Sequence, residues 1–165
     1  MTLKSIYDKV SFILERNLQF NKESTIALQA LSLEGFKRFH RVRCKYYLCM
    51  QLKLANILYN IERQKLDVSS LSMNYSPLSL QDHLIRWKSE LETSINELGE
   101  LNKSHFEEVG CSSEIIEEII YCMLDDLGNV QRYYSRCQDT DWLAIYQFEL
   151  DSYIHKKMKE KEKEM

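Results

Sequence analysis

The chain has 165 residues, of which 44% are hydrophobic and 28% charged, and it contains only four glycines and one proline. This composition fits one globular domain with a sizeable core, and so few helix-breaking residues favour long helices over hairpins. The net charge of −3 argues against a nucleic-acid-binding protein, and no apolar run is long enough to span a membrane. The N-terminus becomes charged before a signal-peptide core can form, which predicts a cytoplasmic protein.

Helical periodicity predicts a first helix over residues 5–29 and a second over residues 33–64. The first is the less regular, because Asn17 and Asn21 interrupt its apolar face. The second repeats its core positions every three or four residues: Phe36, Phe39, Arg43, Tyr47, Met50, Leu54, Ile57 and Ile61. Only Arg43 breaks this stripe, so we expect the second helix to lie in the core along its whole length.

Residues 64–78 lose the periodicity and gather serines, which predicts a long connection. A connection of this length can carry the chain back along a bundle and leave the helices on either side of it parallel. Ser76 followed by Pro77 is typical of a helix start, so a third helix is predicted over residues 79–108.

A fourth helix is predicted over residues 112–136 and a short fifth over residues 141–156. Residues 157–165 are almost all lysine and glutamate, and we expect them to form a solvated, frayed tail. Four long helices, one long crossover and a short fifth helix predict an all-α, ferritin-like four-helix bundle in a single domain over residues 1–165.

Three segments of the sequence stand out: Leu31-Ser32-Leu33-Glu34-Gly35-Phe36, Leu91-Glu92 with Ile95-Asn96, and Leu143-Ala144-Ile145-Tyr146-Gln147-Phe148. They resemble segments of the animal ferritin family, and the first two occur at the spacing of that family, whereas the chain is several residues short between the third helix and the fifth. The resemblance covers roughly residues 5–155 and is nearer the light-chain type. It implies a subunit of an oligomeric cage that stores iron, assembled from copies of itself or with other ferritin subunits.

The resemblance also implies positions for an iron-oxidising centre, and most of them carry residues that do not suit iron. Tyr46, Tyr47 and Met50 stand where the second ferritin helix has two glutamates and a histidine. Phenol and thioether groups are poor ligands for iron held by oxygen donors, so these three are better interpreted as core residues. The chain contains no Glu-x-x-His motif. We therefore predict a ferritin-like protein without ferroxidase activity of its own.

Three carboxylates remain as candidate metal ligands. Glu92 matches the glutamate that the family carries on the third helix, Glu15 matches the first helix after a local shift, and Asp126 matches the fourth in one register. The other register places Ile120 there. An ion pair with a nearby lysine or arginine is the competing interpretation of Glu92, since a lone carboxylate does not hold a metal ion.

Two functions therefore stay open. The first is a cage subunit associated with iron binding and storage. The second is a helical bundle derived from ferritin that serves a structural or protein-interaction role without iron. Neither involves nucleic acid or a membrane.

Overall fold

The computed structural model describes residues 3–57, 75–104, 113–138 and 143–164, and these ranges contain five helices and no strand. Helix α1 spans Leu3–Ala30, α2 spans Glu34–Ile57, α3 spans Leu80–Ser104, α4 spans Ser113–Arg136 and α5 spans Leu143–Glu164. Within these ranges no helix is both long enough and apolar enough to cross a membrane. The predicted ends of the second and third helices, at residues 64 and 108, lie outside the described residues.

Helices α1 and α2 pack side by side in opposite directions. Near the end of α1, the side chain of Asn21 contacts His40, which lies near the start of α2. Further back on α1, Glu15 accepts a hydrogen bond from Gln51, further along α2, at 2.6 Å. An earlier residue of α1 thus contacts a later residue of α2, so the helices form an antiparallel pair.

Helix α3 is also antiparallel to α1, and it is therefore parallel to α2. The ring of Phe20 lies against that of His83 at the start of α3, while Arg16, one turn earlier on α1, pairs with Glu97 further along α3. Two parallel helices need a connection that returns along their length, which is the crossover predicted from the sequence. Residues 58–74 of that connection lie outside the described residues.

Helix α4 completes the bundle. Gln81, at the start of α3, donates a hydrogen bond to the carbonyl oxygen of Cys137, just beyond the end of α4. The side chains of Arg43 and Lys53 on α2 contact Asp126 and Glu118 on α4 in reverse order, so these two helices are antiparallel. The predicted four-helix bundle is confirmed.

The core lies between the four bundle helices and continues under α5. Its members are the residues at the three- and four-residue repeats of each helix, and they are almost all inaccessible to solvent. The largest fully buried side chains are Trp87, Tyr47, Phe20, Phe36, Ile6, Leu14, Leu18, Leu28, Met50, Leu54, Leu80 and Leu84. Because burial of one such aliphatic side chain contributes about 1.5–3 kcal/mol, this shared core is the main force holding the helices together.

The turn between α1 and α2 is a Schellman motif that contains no glycine. The backbone nitrogen of Leu33 donates to the carbonyl oxygen of Leu28 at 3.0 Å, and that of Ser32 donates to Gln29 at 3.1 Å. Ser32 adopts the left-handed conformation with φ of 58°. The last carbonyl groups of α1 are thus satisfied, and the chain reverses within three residues.

The start of α3 lies within one residue of the prediction, but the capping residue is a different serine. The side-chain oxygen of Ser79 accepts a hydrogen bond from the backbone nitrogen of Asp82 at 3.2 Å, so Ser79 caps the helix. Ser76 and Pro77 precede the helix instead of starting it.

The predicted charged tail is part of α5. This helix continues to Glu164, whereas the sequence predicted an end at residue 156 and a solvated tail over residues 157–165. Leu150, Ile154 and Met158 recur every four residues and are buried, so the apolar stripe of the helix extends into the charged segment. Burial of Met158 keeps this segment helical against the bundle.

Helix α5 lies along α2 and runs in the same direction. At one end, the carboxylate of Asp151 accepts a hydrogen bond from the backbone nitrogen of Phe36 at 3.0 Å, so it caps the N-terminus of α2 from another helix. At the other end, Glu162 lies 3.7 Å from the guanidinium group of Arg41. Both charged contacts hold α5 against the bundle.

Candidate functional site

A buried ion pair occupies the middle of the bundle. Arg43 on α2 donates two hydrogen bonds to Asp126 on α4, from Nε to Oδ2 at 2.6 Å and from Nη2 to Oδ1 at 2.7 Å. The side chain of Asp126 is 1% exposed and that of Arg43 is 10% exposed. The guanidinium group also lies 4.9 Å from the ring centroid of Phe39. Arg43 thus breaks the apolar stripe of α2 because it reaches across the core to a carboxylate.

The surroundings of this pair keep Arg43 protonated and positively charged. Burial lowers the pKa of Arg43, but the hydrogen bonds and charge of Asp126 outweigh it, so the pKa lies above its ordinary value. Burial raises the pKa of Asp126, and the hydrogen bonds from Arg43 oppose that rise. A guanidinium group that stays protonated and donates to both carboxylate oxygens leaves Asp126 little capacity to hold a metal ion.

Tyr46, Tyr47 and Met50, which the sequence resemblance assigns to ligand positions, pack in or beside the core. Tyr47 and Met50 are buried, and Tyr46 is half-buried with its hydroxyl donating to the carbonyl oxygen of Glu118 at 3.4 Å. Burial raises the pKa of both phenols above the ordinary value for tyrosine. Iron binds the deprotonated phenolate, so two phenols that hold their protons are poorly placed to act as ligands.

Glu15 and Glu92 each have a partner of their own. Glu15 accepts the hydrogen bond from Gln51 described above. The side chain of Glu92 is 45% exposed and lies 3.7 Å from Lys88, one turn earlier on α3. Glu92 is thus in the ion pair that was the competing interpretation of this residue.

The structure therefore does not bring the three candidate ligands together. Glu15, Glu92 and Asp126 contact three different partners, and the described parts of the chain contain no group of three or more His, Cys, Asp or Glu residues close enough to hold a metal ion. For a di-iron centre, which needs several carboxylates around one point, the described residues offer one buried carboxylate that is already paired. Metal binding at these positions stays a prediction.

A second polar cluster, which the sequence analysis did not find, lies between α1, α2 and α3. His40 and His83 are both 0% exposed, and their Nε2 atoms are 2.8 Å apart. Asn21 Oδ1 lies 2.7 Å from His40 Nδ1, and the hydroxyl of Tyr75 lies 2.6 Å from His83 Nδ1. A signal was available in the sequence: His40 is four residues after Phe36, and His83 is three residues after Leu80, so both occur at core spacing.

The histidine pair has the geometry of a hydrogen bond and not of a metal site. Two imidazole nitrogens bound to one tetrahedral zinc ion would be about 3.3 Å apart, given zinc–nitrogen distances of about 2.0–2.1 Å. Arg43 lies close enough to lower the pKa of His40, so its positive charge would also oppose a cation there. No described carboxylate contacts the pair to compensate such a charge.

An open cleft of about 330 Å³ lies between α2 and the end of α5. It is lined by Val42, Arg43, Tyr46, Lys161 and Glu164, and thus by groups of both charge signs. Its mixed charge and the engagement of Arg43 with Asp126 give it no preference for an anion or a cation.

Comparison with known proteins supports the fold and does not identify a family. No protein-family model matches the sequence, and no curated protein matches it. The fold is similar to that of a novel open-pore ferritin from the hyperthermophilic archaeon Archaeoglobus fulgidus, with a TM-score of 0.67. The match covers 93% of this chain and 94% of that chain, at 14% sequence identity. The class defined by the fold is therefore the ferritin-like helical bundle, and at this identity the likeness shows the fold alone.

Proposed function

We propose that this chain is a ferritin-like cage subunit that takes part in iron binding and storage without a ferroxidase centre of its own. The observation that carries the proposal is the structural match, over 93% of this chain and 94% of the other, to a protein that is itself a ferritin. The three sequence segments that resemble animal ferritins support it, and they favour a relative of the light-chain type.

The docked fifth helix supports a role in an assembly. A four-helix bundle already buries its core without a fifth helix, yet α5 is fastened to α2 at both ends and leaves Phe148 76% exposed and Tyr153 60% exposed. Exposed aromatic side chains of this size are enriched in protein interfaces. We propose that the outer face of α5 contacts neighbouring subunits, either further copies of this chain or other ferritin subunits.

The ion pair at the bundle centre supports the absence of ferroxidase activity. An iron-oxidising centre needs free carboxylates that converge on two metal ions, whereas Asp126, the one buried acid among the described residues, already accepts two hydrogen bonds from Arg43. Iron would then be cargo held by the assembly, and its oxidation would depend on partner subunits or on the solution.

We expect the purified chain to oxidise ferrous iron no faster than the same buffer without protein. The measurement is dioxygen consumption after addition of ferrous iron under air. Glu92→Ala should leave the rate unchanged, as should the control Glu90→Ala, which removes a neighbouring carboxylate from the same helix. A rate well above buffer that falls with Glu92→Ala and not with Glu90→Ala would show that a carboxylate site survives.

The assembly is tested by light scattering of the purified chain, with iron measured in the same chromatographic peak. We expect a mass many times that of one chain, either for the chain alone or after co-expression with an ordinary ferritin subunit. The variant Tyr153→Lys, which places a charge on the outer face of α5, should reduce the mass. Its control, Lys159→Glu, changes an exposed residue near the end of the same helix and should not.

The paired Asp126 also favours the second function, a helical bundle without iron. A strictly monomeric chain that carries no iron and ignores ferritin partners would contradict the cage subunit and leave this structural or protein-interaction role. An assembled shell that contains no iron would support the proposed assembly and contradict iron storage by the chain alone.

A further inference from the structure

Four polar side chains form a continuous hydrogen-bonded line from the end of the crossover to the interior. Tyr75 contacts His83, His83 contacts His40, and His40 contacts Asn21 at distances of 2.6, 2.8 and 2.7 Å. Asn21 in turn donates from Nδ2 to the carbonyl oxygen of Asn17 at 2.7 Å. The line joins the segment before α3 to three helices: Tyr75 precedes α3, the histidines lie on α2 and α3, and the asparagines lie on α1.

The positions of the protons along this line follow from its inner end. Since Asn21 uses Nδ2 to donate to Asn17, its Oδ1 accepts, and Nδ1 of His40 must carry a proton. In neutral His40, Nε2 then accepts from Nε2–H of His83, and Nδ1 of His83 accepts from the hydroxyl of Tyr75. Every ring nitrogen is satisfied once, and both histidines are neutral.

Apolar rings enclose the pair, so a further proton would place a positive charge among them without a compensating carboxylate among the described residues. Phe20 stacks on His83 with a centroid distance of 6.0 Å, and Trp87 lies 4.4 Å from His40. The elements packed against the pair contribute one charged group that acts on it, Arg43 of α2, and its charge is positive. Burial accordingly lowers the pKa of both histidines, that of His83 to about 3.

The outer end of the line faces a different set of charges. Arg86, Asp82 and Glu90, all on α3, act on the half-buried phenol of Tyr75, and burial is the largest influence on its pKa, which is raised. Tyr75 therefore keeps its proton across the physiological range and donates to His83. It also packs edge-on against Phe20 at 5.6 Å, so the same residue makes the polar and the apolar contact of this segment with the core.

We propose that the His40–His83 pair is an acid-sensitive latch that fastens the end of the crossover to the bundle through Tyr75. A proton on Nε2 of His40 would turn the central hydrogen bond into two opposed N–H groups. A proton on Nδ1 of His83 would make the Tyr75 hydroxyl the acceptor and would place a positive charge among the apolar rings. Opening of the half-buried end releases Tyr75 and exposes His83 to water, where the imidazolium is stable. The latch is independent of iron and of the proposed cage.

The sign of the pH dependence follows from the two protonation states. The closed latch holds both histidines neutral, while the open form titrates near the ordinary histidine value of about 6.5, so acidification below that value favours opening. If one histidine is exposed on opening, the ratio of open to closed latch rises about 30-fold between pH 7.5 and pH 5.0. The rise continues with further acidification until the closed form itself binds the proton.

Hydrogen–deuterium exchange of the whole chain tests the latch. At pH 7.5 and pH 5.0 we compare protection factors, which remove the intrinsic pH dependence of exchange, for amides of residues 79–87 and of the middle of α4. Protection at the start of α3 should fall at least tenfold on acidification, while protection in α4 should fall much less. Equal protection at both pH values, or a simultaneous loss in both helices, would overturn the latch.

Variants identify the residues responsible. His83→Gln removes the titrating group and should abolish the pH response, whereas the control His155→Gln on α5 should retain it. Tyr75→Phe removes the tether without touching either histidine, so protection at the start of α3 should already be low at pH 7.5. Tyr134→Phe, which alters a partly buried tyrosine elsewhere against the core, should match the original chain. If His83→Gln does not fold, the Tyr75 comparison still decides: unchanged protection in Tyr75→Phe contradicts the latch.

Discussion

Replacement of Gly35 by alanine should separate α5 from α2 and destabilise the protein by about 3 kcal/mol, the upper end of the usual cost of overpacking. A Cβ atom on Gly35 would overlap the backbone carbonyl group of Asp151 and lie 2.9 Å from the backbone nitrogen of His155. Backbone atoms cannot rotate away as a flexible side chain can, so the helices must move apart. The capping contact from Asp151 to Phe36 would be lost with them.

Two measurements follow this change. Chemical denaturation monitored by circular dichroism gives the free energy of unfolding, and limited trypsin digestion reports whether the lysines near the end of α5 become accessible. Gly99→Ala and Gly128→Ala are matched controls, because a Cβ atom at either position meets nothing within 4 Å. Both lie inside helices, so alanine there should stabilise the protein by about 0.5–1 kcal/mol. A Gly35→Ala protein as stable and as protease-resistant as these controls would contradict the close approach of α5.

Replacement of Arg43 by methionine should cost about 3–5 kcal/mol, because it leaves the buried carboxylate of Asp126 without its partner. The double variant Arg43→Met with Asp126→Leu should recover most of this loss. Exchange of a buried ion pair for apolar residues of similar size is often neutral or stabilising, since neither charge then needs to be desolvated. Denaturation of the two single variants and the double variant gives the coupling energy.

The control for this pair is Lys53→Met. Lys53 lies 3.5 Å from Glu118 with both side chains 49% exposed, and loss of such a surface pair should change stability by less than about 1 kcal/mol. If Arg43→Met costs no more than Lys53→Met, Asp126 has another partner or is neutral in the folded protein. The double variant would then be no more stable than Asp126→Leu alone.

Sequence periodicity was sufficient for the helical architecture. The repeating core positions of α2, among them Phe36, Phe39 and Tyr47, are buried as the pattern predicted, because one face of a packed helix recurs every three or four residues. The long connection between α2 and α3 was likewise sufficient to predict that these two helices are parallel. Both inferences depend on chain geometry and little on individual contacts.

The positions of the helix ends and the burial of charged segments were harder to predict from the sequence. The cap at Ser79 depends on which oxygen reaches a free N–H group, and the length of α5 depends on Met158, a single apolar residue among lysines and glutamates. Composition assigns such a segment to solvent. Only its packing against α2 shows that one face of the segment is buried.

For the candidate site, too, some features follow from the sequence and others only from the tertiary structure. The sequence by itself determined that this chain builds a ferritin-like bundle, because fold class follows from the order and period of helices. That Tyr46, Tyr47 and Met50 stand at the positions of the ferritin ligands stays a prediction from the resemblance. The tertiary structure decided the partners of the buried polar groups: Arg43 with Asp126, and His40 with His83. The physical reason is distance along the chain. Partners 83 and 43 residues apart carry no local signal, and a buried charge or imidazole finds its partner only when packing brings the helices together.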